Sequence, residues 1–344
     1  MTKLISRILI AGHGSIAKRH LHIARSLYPY ADIRVLRHRL DRDIPKSSNG
    51  CFFSIHDAVE FEPNLAVIAN PATFHLEVAR AMADIGAHLL IEKPLAASLD
   101  GVQELIELCI EKSVVLMVGY NLRFLDSLLK YRDIIHRGLV GKILSIRCEV
   151  GQYLPDWRPG IDYRTSVSAL RELGGGALLE LSHEIDYIRW IFGDISWVKA
   201  SMHQKSNLEI NVEDLVHVIF ESSPDFQNSQ IVGAINLDFI RHDMTRSCVA
   251  IGEGGTIRWN GLTGDIDIFE KRYGCWRPLI APTNELNDTY KAEWICFLEK
   301  IRSRQLDNES AINALHVMKI IDAIRKSNAM GAQYVGPDIC LKKF

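Results

Sequence analysis

The sequence predicts an α/β protein in two parts: a doubly wound parallel sheet of the Rossmann type, then an α+β domain built on a large, mostly antiparallel open sheet. Three observations predict it. Short apolar runs alternate with helix-spaced segments as far as Arg123. A glycine turn, Gly12-His13-Gly14-Ser15-Ile16-Ala17, joins the first run to the first helix. Beyond Arg123 the alternation gives way to consecutive strand-like runs separated by turns.

Arg7-Ile8-Leu9-Ile10-Ala11 is an apolar run ending in glycine, as a strand buried on both faces would be. Ile16, Ile23, Ala24 and Leu27 recur at helical spacing, so a helix follows directly. Ile33–Leu36 and Leu65–Ala69 are the next strands, followed by a helix over about Thr73–Ile85 and a strand at His88–Ile91. Ser98 reads as an N-cap for a helix to about Glu111, and Val114–Val118 closes the series. The second part offers strands at Ile143–Val150, Asp214–Glu221, Ile231–Ile240, Ser247–Gly252, Thr256–Trp259 and Asp265–Phe269. One helix, about Ala177–Phe192, interrupts them, and two more, about Asp288–Arg302 and Ser310–Ser327, close the chain.

At 344 residues the chain has room for two domains, expected over residues 1–122 and 123–344, the terminal helices packing back near the first domain. A formal charge of −2 gives no footprint for nucleic acid. Arg7 interrupts the N-terminal apolar run and no small-residue cleavage site follows, so neither a signal peptide nor a membrane helix is expected. The cysteines are odd in number, 7, with no C-x-x-C pair. They predict reduced thiols in a cytoplasmic protein and no metal site.

The glycine turn fits G-x-G-x-x-A, in which Gly12 turns out of the strand, Gly14 lets the backbone approach a pyrophosphate, and Ala17 packs against the sheet. Ser15 and Ile16 then offer N–H groups at the helix start to the phosphates. After the second strand, where an acidic residue would bind the ribose 2′-OH of NAD, stand Arg37, His38 and Arg39. Guanidinium groups there suit a 2′-phosphate, so NADP is the expected cofactor, with NAD as the alternative. Three more clusters follow strand ends: Asn70-Pro71 through His75, Glu92-Lys93-Pro94, and Gly119 through Phe124 with Asn121 and Arg123.

With Gly174-Gly175-Gly176, His183 and Asp186, these motifs occur in an order and spacing that resemble the glucose–fructose oxidoreductase / inositol dehydrogenase / MocA family of nicotinamide-dependent oxidoreductases. The resemblance spans essentially the whole chain and looks nearest to members found with bacterial surface-sugar biosynthesis, where a stretch like Gly151 to Pro159 is familiar. It implies that Lys93 contacts the nicotinamide ribose and the reacting oxygen, and that His183 exchanges the proton when a hydroxyl becomes a carbonyl. The family's usual aspartate four residues before that histidine is Leu179 here, with Glu180 three before, so either Glu180 or Asp186 is expected to serve His183. Pairing of Subunits through the second-domain sheet is likewise implied.

Hydride transfer needs an acid/base group for the alcohol proton and a charge to stabilise developing alkoxide, which imidazole and ammonium supply. Arg123, Tyr153, Trp157, Arg158 and Tyr163, with Arg164 and Arg171, are the substrate candidates: aromatics suit sugar rings, and arginines suit a carboxylate or diphosphate. A small carbohydrate or nucleotide sugar is the expected partner. His13, His20, His22 and His242 carry no functional expectation, and Trp294 and Phe297 read as core. Two other readings stand beside oxidoreduction: a glycosidase using transient oxidation by a retained cofactor, and a non-catalytic dinucleotide sensor.

Overall fold

The computed structural model describes residues 5–37, 44–224, 230–280, 286–304, 306 and 308–337. The chain forms two compact units, Met1–Tyr120 with Tyr290–Met318, and Asn121–Thr289 with Lys319–Phe344.

The first unit opens with β1 (Arg7–Ala11), α1 (Ser15–Leu27), β2 (Asp32–Leu36) and β3 (Gly50–Phe52). It continues through α2 (Ile55–Glu60), β4 (Leu65–Ile68), α3 (His75–Asp84), β5 (His88–Glu92), α4 (Val102–Glu111) and β6 (Leu116–Gly119). All strand pairs are parallel, in the order β3-β2-β1-β4-β5-β6. The order reverses between β1 and β4, which sets a switch point at their carboxyl ends, where open α/β sheets hold ligands. Ile8 to Ile10, Leu65 to Ile68 and Leu89 to Ile91 are completely buried. Cover on both faces is why these strands read as unbroken apolar runs.

The second unit begins with α5 (Asp126–His136), β7 (Ile143–Gly151), α6 (Ala177–Glu180) and α7 (His183–Phe192). Seven strands follow: β8 (Ile195–His203), β9 (Leu215–Ser222), β10 (Val232–Asp238), β11 (Thr245–Gly252), β12 (Gly255–Asn260), β13 (Ile266–Glu270) and β14 (Trp276–Ile280). They join β7 in one sheet of order β14-β13-β12-β11-β7-β10-β9-β8, antiparallel except between β7 and β10. Register sorts its faces. Val218, Ile235, Cys148, Cys248 and Trp259 form one row across the strands and are buried, whereas the adjacent row runs Ile219, Ala234, Arg147, Val249, Arg258 on the other face. The chain closes with α8 (Leu286–Ser303) and α9 (Glu309–Ala329). In the first unit the start of α9 covers the edge strand β6, whose outward Leu116 and Val118 N–H groups donate to Asn308 Oδ1 and Ser310 Oγ at 3.0 Å each.

Several elements differ from the sequence expectation. β3 is too short for any periodicity to show, and α2 behind it has one buried residue, Ala58. α5 buries Leu128, Tyr131 and Ile135, a helical spacing passed over after Arg123. A register shift between Ile195 and Trp197 breaks the alternation that would mark β8. β14, on the sheet's edge, carries Pro278 and was also not expected. Ser98 does not cap α4; Gly101 does, at φ 79°. The single helix expected over Ala177–Phe192 is two helices, broken at Leu181-Ser182.

Candidate functional site

In the first unit the site is built on the glycine turn. Gly12 has φ +109°, and a Cβ there would lie 2.5 Å from the Ala69 carbonyl oxygen and 2.9 Å from the Asn70 nitrogen. Only glycine lets the turn press against the end of β4. A Cβ on Gly14 would meet nothing within 4 Å, so that side of the turn is open. No side chain caps the start of α1, and its first turn holds no acidic residue. Free N–H groups and the positive end of the helix dipole thus face open space, as a pyrophosphate requires. Beside them Asn70 Oδ1 is buried without a hydrogen-bond partner among the described residues. An open cradle, an uncapped helix and an orphaned amide oxygen fit a dinucleotide.

The loops after β4 and β5 are tied together by His75, which is 1% exposed. Its Nε2 lies 2.8 Å from the Asn70 carbonyl oxygen and its Nδ1 3.0 Å from that of Pro94, while burial pushes its pKa down. Both nitrogens meet backbone, so His75 positions Asn70-Pro71 against Pro94. The Lys93–Pro94 bond is cis. Glu92 Oε2 accepts the Lys93 backbone N–H at 3.2 Å. Arg37, at the end of β2, is 6% exposed, with its guanidinium 5.6 Å from the Phe53 ring centre. His38 and Arg39 lie outside the described residues.

The second unit gathers the other candidates. His183 opens α7, half-buried, and Glu180 closes α6, accepting the Ser168 hydroxyl at 2.8 Å. Ser168 also lines a shallow pocket with Leu154, Trp157, Arg158, Ile161 and Tyr163, so three of the substrate candidates share one depression that reaches the Glu180 partner. The Trp157 indole N–H donates to the Gln152 carbonyl at 3.0 Å, and the Tyr163 hydroxyl accepts the Glu209 N–H at 3.2 Å. Tyr153 lies outside that pocket, its ring 4.2 Å from that of His242. Asn121 is buried and donates to Thr289 Oγ1 at 2.8 Å.

Asp186 is 2% exposed and takes both Arg123 Nε–H, at 2.8 Å, and Nη2–H, at 2.7 Å. Arg123 also lies over Trp190, 5.6 Å from its ring centre. The glycine run leading to α6 has a packing reason. A Cβ on Gly175 would fall 2.3 Å from the Val167 carbonyl oxygen, and one on Gly176, at φ +107°, 2.4 Å from the Glu213 carboxylate. Glu213 was missed from sequence. It accepts the Leu178 N–H at 3.1 Å, and burial pushes its carboxyl up. The adjacent pair Glu213-Asp214 at a strand start was its signal.

A parallel sheet with this strand order, a pyrophosphate cradle at its switch point and a Glu-Lys-Pro turn on β5 define a dinucleotide-dependent oxidoreductase fold, completed by an open sheet in the second unit. The chain belongs to the GFO/IDH/MocA oxidoreductase family: residues 6–120 match its NAD-binding Rossmann fold and residues 128–258 its C-terminal domain. Levoglucosan dehydrogenase of Pseudarthrobacter phenanthrenivorans is 34% identical over 143 residues, which are 40% of this chain and 36% of that protein. The sequence match thus spans little more than a third of that relative. Among solved structures, levoglucosan dehydrogenase in complex with NADH superposes with a TM-score of 0.79 at 20% identity, covering 96% of this chain and 98% of the other. The WlbA dehydrogenase of Bordetella pertussis, in complex with NADH and UDP-GlcNAcA, gives 0.77 at 20% identity, covering 96% and 98%. Among the described residues no helix is long and apolar enough to cross a membrane.

Proposed function

We propose that the chain moves a hydride between a bound nicotinamide cofactor and a hydroxyl or ketone of a sugar or nucleotide sugar. The observation that carries this reading is the Lys93 turn, set at the carboxyl end of β5 in the sheet that bears the Gly12 cradle. When bound, the nicotinamide supplies or takes the hydride. The backbone of Gly12 to Ile16 binds the pyrophosphate, and Asn70 and Pro71, held by His75, line the approach. The Lys93 ammonium orients the reacting oxygen and stabilises negative charge as it develops. His183, in the second unit, takes or returns the hydroxyl proton at an imidazole nitrogen. Glu180 is its carboxylate: Asp186 is committed to Arg123, whereas Glu180 meets the substrate pocket through Ser168.

The finer assignments rest on chemistry. Arg37 in place of a carboxylate supports NADP; the NADH of the two solved relatives favours NAD. The aromatic and cationic side chains of the second-unit pocket support a sugar carrying an anionic group, as UDP-GlcNAcA does for WlbA. Ile219 and Val232, 50% and 45% exposed on the sheet, support pairing of two copies there, which light scattering would read. Free cysteines suit the cytoplasm.

A fluorescence titration with NADH and NADPH, followed by a panel of sugars and sugar nucleotides, tests the whole. Lys93→Met and His183→Ala should each lower kcat by about 10²- to 10⁴-fold while reduced cofactor still binds. Full activity in both variants sinks the assignment. Turnover without net change in nicotinamide absorbance would identify the glycosidase reading instead.

A further inference from the structure

Within the first unit, α1, the end of β5 and α8 converge on a buried cluster whose members do not touch the reacting atoms in the proposed reaction. His20, Glu92 and Glu293 bring a ring nitrogen and carboxylate oxygens within 4.8 Å of one another. His20 and Glu293 are completely buried, and Glu92 is 9% exposed.

Trp294 fixes the protonation of His20. The indole N–H can only donate, and it reaches His20 Nδ1 at 2.9 Å. Nδ1 therefore presents a lone pair, the ring proton sits on Nε2, and Nε2–H donates to Glu92 Oε1 at 2.7 Å. His20 is a neutral donor. With its proton on Nε2 and its Nδ1 lone pair taken, it has no nitrogen to offer a metal ion, so the cluster is a place for a proton rather than a cation.

Glu92 is doubly engaged, since its Oε2 accepts the Lys93 backbone N–H at 3.2 Å. Glu293 is not: neither of its oxygens has a hydrogen-bond partner among the described residues. The titratable groups bearing on it are Glu92 of β5, His20 of α1, and Tyr290 and Cys296 of its own helix. The nearby cation on α1, Arg19, lies over the Tyr290 ring, 4.6 Å from its centre. An ionised carboxylate so enclosed, beside a second one, lacks both solvation and a counter-charge.

We propose that Glu293 is held as a neutral carboxylic acid, leaving Glu92 as the single negative charge that fixes the Lys93 backbone. Glu92 and Glu293 are then positioning residues for Lys93, and this part of the proposal rests on the reading of Lys93 as the reacting ammonium. Total burial and the charge on Glu92 both push the Glu293 carboxyl well above the usual carboxylate range. In the unfolded chain the same group ionises near pH ~4.3. Above that pH the unfolded state releases a proton that the folded state keeps. Folding therefore weakens as pH rises, until Glu293 ionises in place.

The test is chemical unfolding of the full chain and of Glu293→Gln between about pH 5 and about pH 9. The ratio of unfolding constants, wild type over variant, should climb about tenfold per pH unit while the folded group stays protonated. At neutral pH the infrared spectrum of the folded wild type should show a protonated-carboxyl carbonyl band that Glu293→Gln lacks. With cofactor present, nicotinamide affinity of the wild type should fall at alkaline pH, and that of Glu293→Gln should stay level. A flat ratio, a missing band, or a stoichiometric metal ion in the purified protein overturns the proposal. Unfolding and infrared need no cofactor, so they still decide the protonation state if the chain binds no nicotinamide. If Glu293→Gln does not fold, Glu92→Gln replaces it: removing the neighbouring charge should lower the pH at which the band disappears, and an unchanged pH overturns the proposal.

Discussion

Arg123 and Asp186 form a two-toothed ion pair, with both carboxylate oxygens engaged at 2.7–2.8 Å and Asp186 98% withdrawn from solvent. The pair anchors the first turn of α7, the helix that His183 opens. Arg123→Ala would leave a buried carboxylate without its counter-charge, at a cost of about 3–5 kcal/mol. Arg123→Lys, which keeps the charge but loses the fork, should fall between. Urea unfolding measures both, and a loss under about 1 kcal/mol for the alanine variant would show the pair to be dispensable.

Gly12→Ala should be poorly tolerated. Its φ of +109° and the Ala69 carbonyl at 2.5 Å both oppose a Cβ. Backbone strain alone predicts about 1–3 kcal/mol of destabilisation, and displacement of the turn should abolish nicotinamide binding. Gly14→Ala, with no atom within 4 Å of its Cβ, should fold normally and weaken binding only by crowding the pyrophosphate. Calorimetry with NADH separates the two.

Arg37→Asp should raise the ratio of NADH to NADPH affinity by about tenfold or more, because a carboxylate repels a 2′-phosphate and accepts a ribose hydroxyl. Parallel binding isotherms for the two reduced cofactors read the ratio. An unchanged ratio would assign Arg37 to packing against Phe53.

The thiols should react in order of exposure. Cys275 is exposed, whereas burial pushes the Cys109 thiol up to about 12. Among the cysteines of the described residues, iodoacetamide at about pH 8 should label Cys275 first, with Cys51 and Cys296 slower, and Cys109, Cys148 and Cys248 only on unfolding. Mass spectrometry would report the order, and early labelling of Cys109 would contradict its burial.

β1, β4, β5 and β6 were legible because they are buried on both faces, which leaves a continuous apolar signature, and Gly12 because a strand and a helix flank it. The break at Leu181-Ser182 was not, since Ala177 to Phe192 keeps helix-compatible residues through the gap. That Asp186 is engaged by Arg123 could not be read from the sequence, because the two lie 63 positions apart. His20 and Glu293 illustrate the same limit. A histidine or glutamate in an amphipathic helix with other charged residues draws no notice, and only their meeting across 273 positions (20 to 293) gives either one a role. His75 was expected as a cofactor contact from its place in the motif; its approach to the Asn70, Pro94 and Leu95 carbonyl oxygens adds a strap role that no sequence pattern shows.

The path of the chain through the eight-stranded sheet carries an evolutionary consequence. β7 ends at Gly151 and β8 begins at Ile195, and the two lie apart in the sheet with β10 and β9 between them. Trp157, Arg158, Tyr163, Glu180 and His183 all sit on the intervening excursion, which contributes no strand to the ladder. Exchanges at the exposed loop positions of that stretch alter no ladder pairing, so new specificities can be tried by selection while the scaffold is inherited intact.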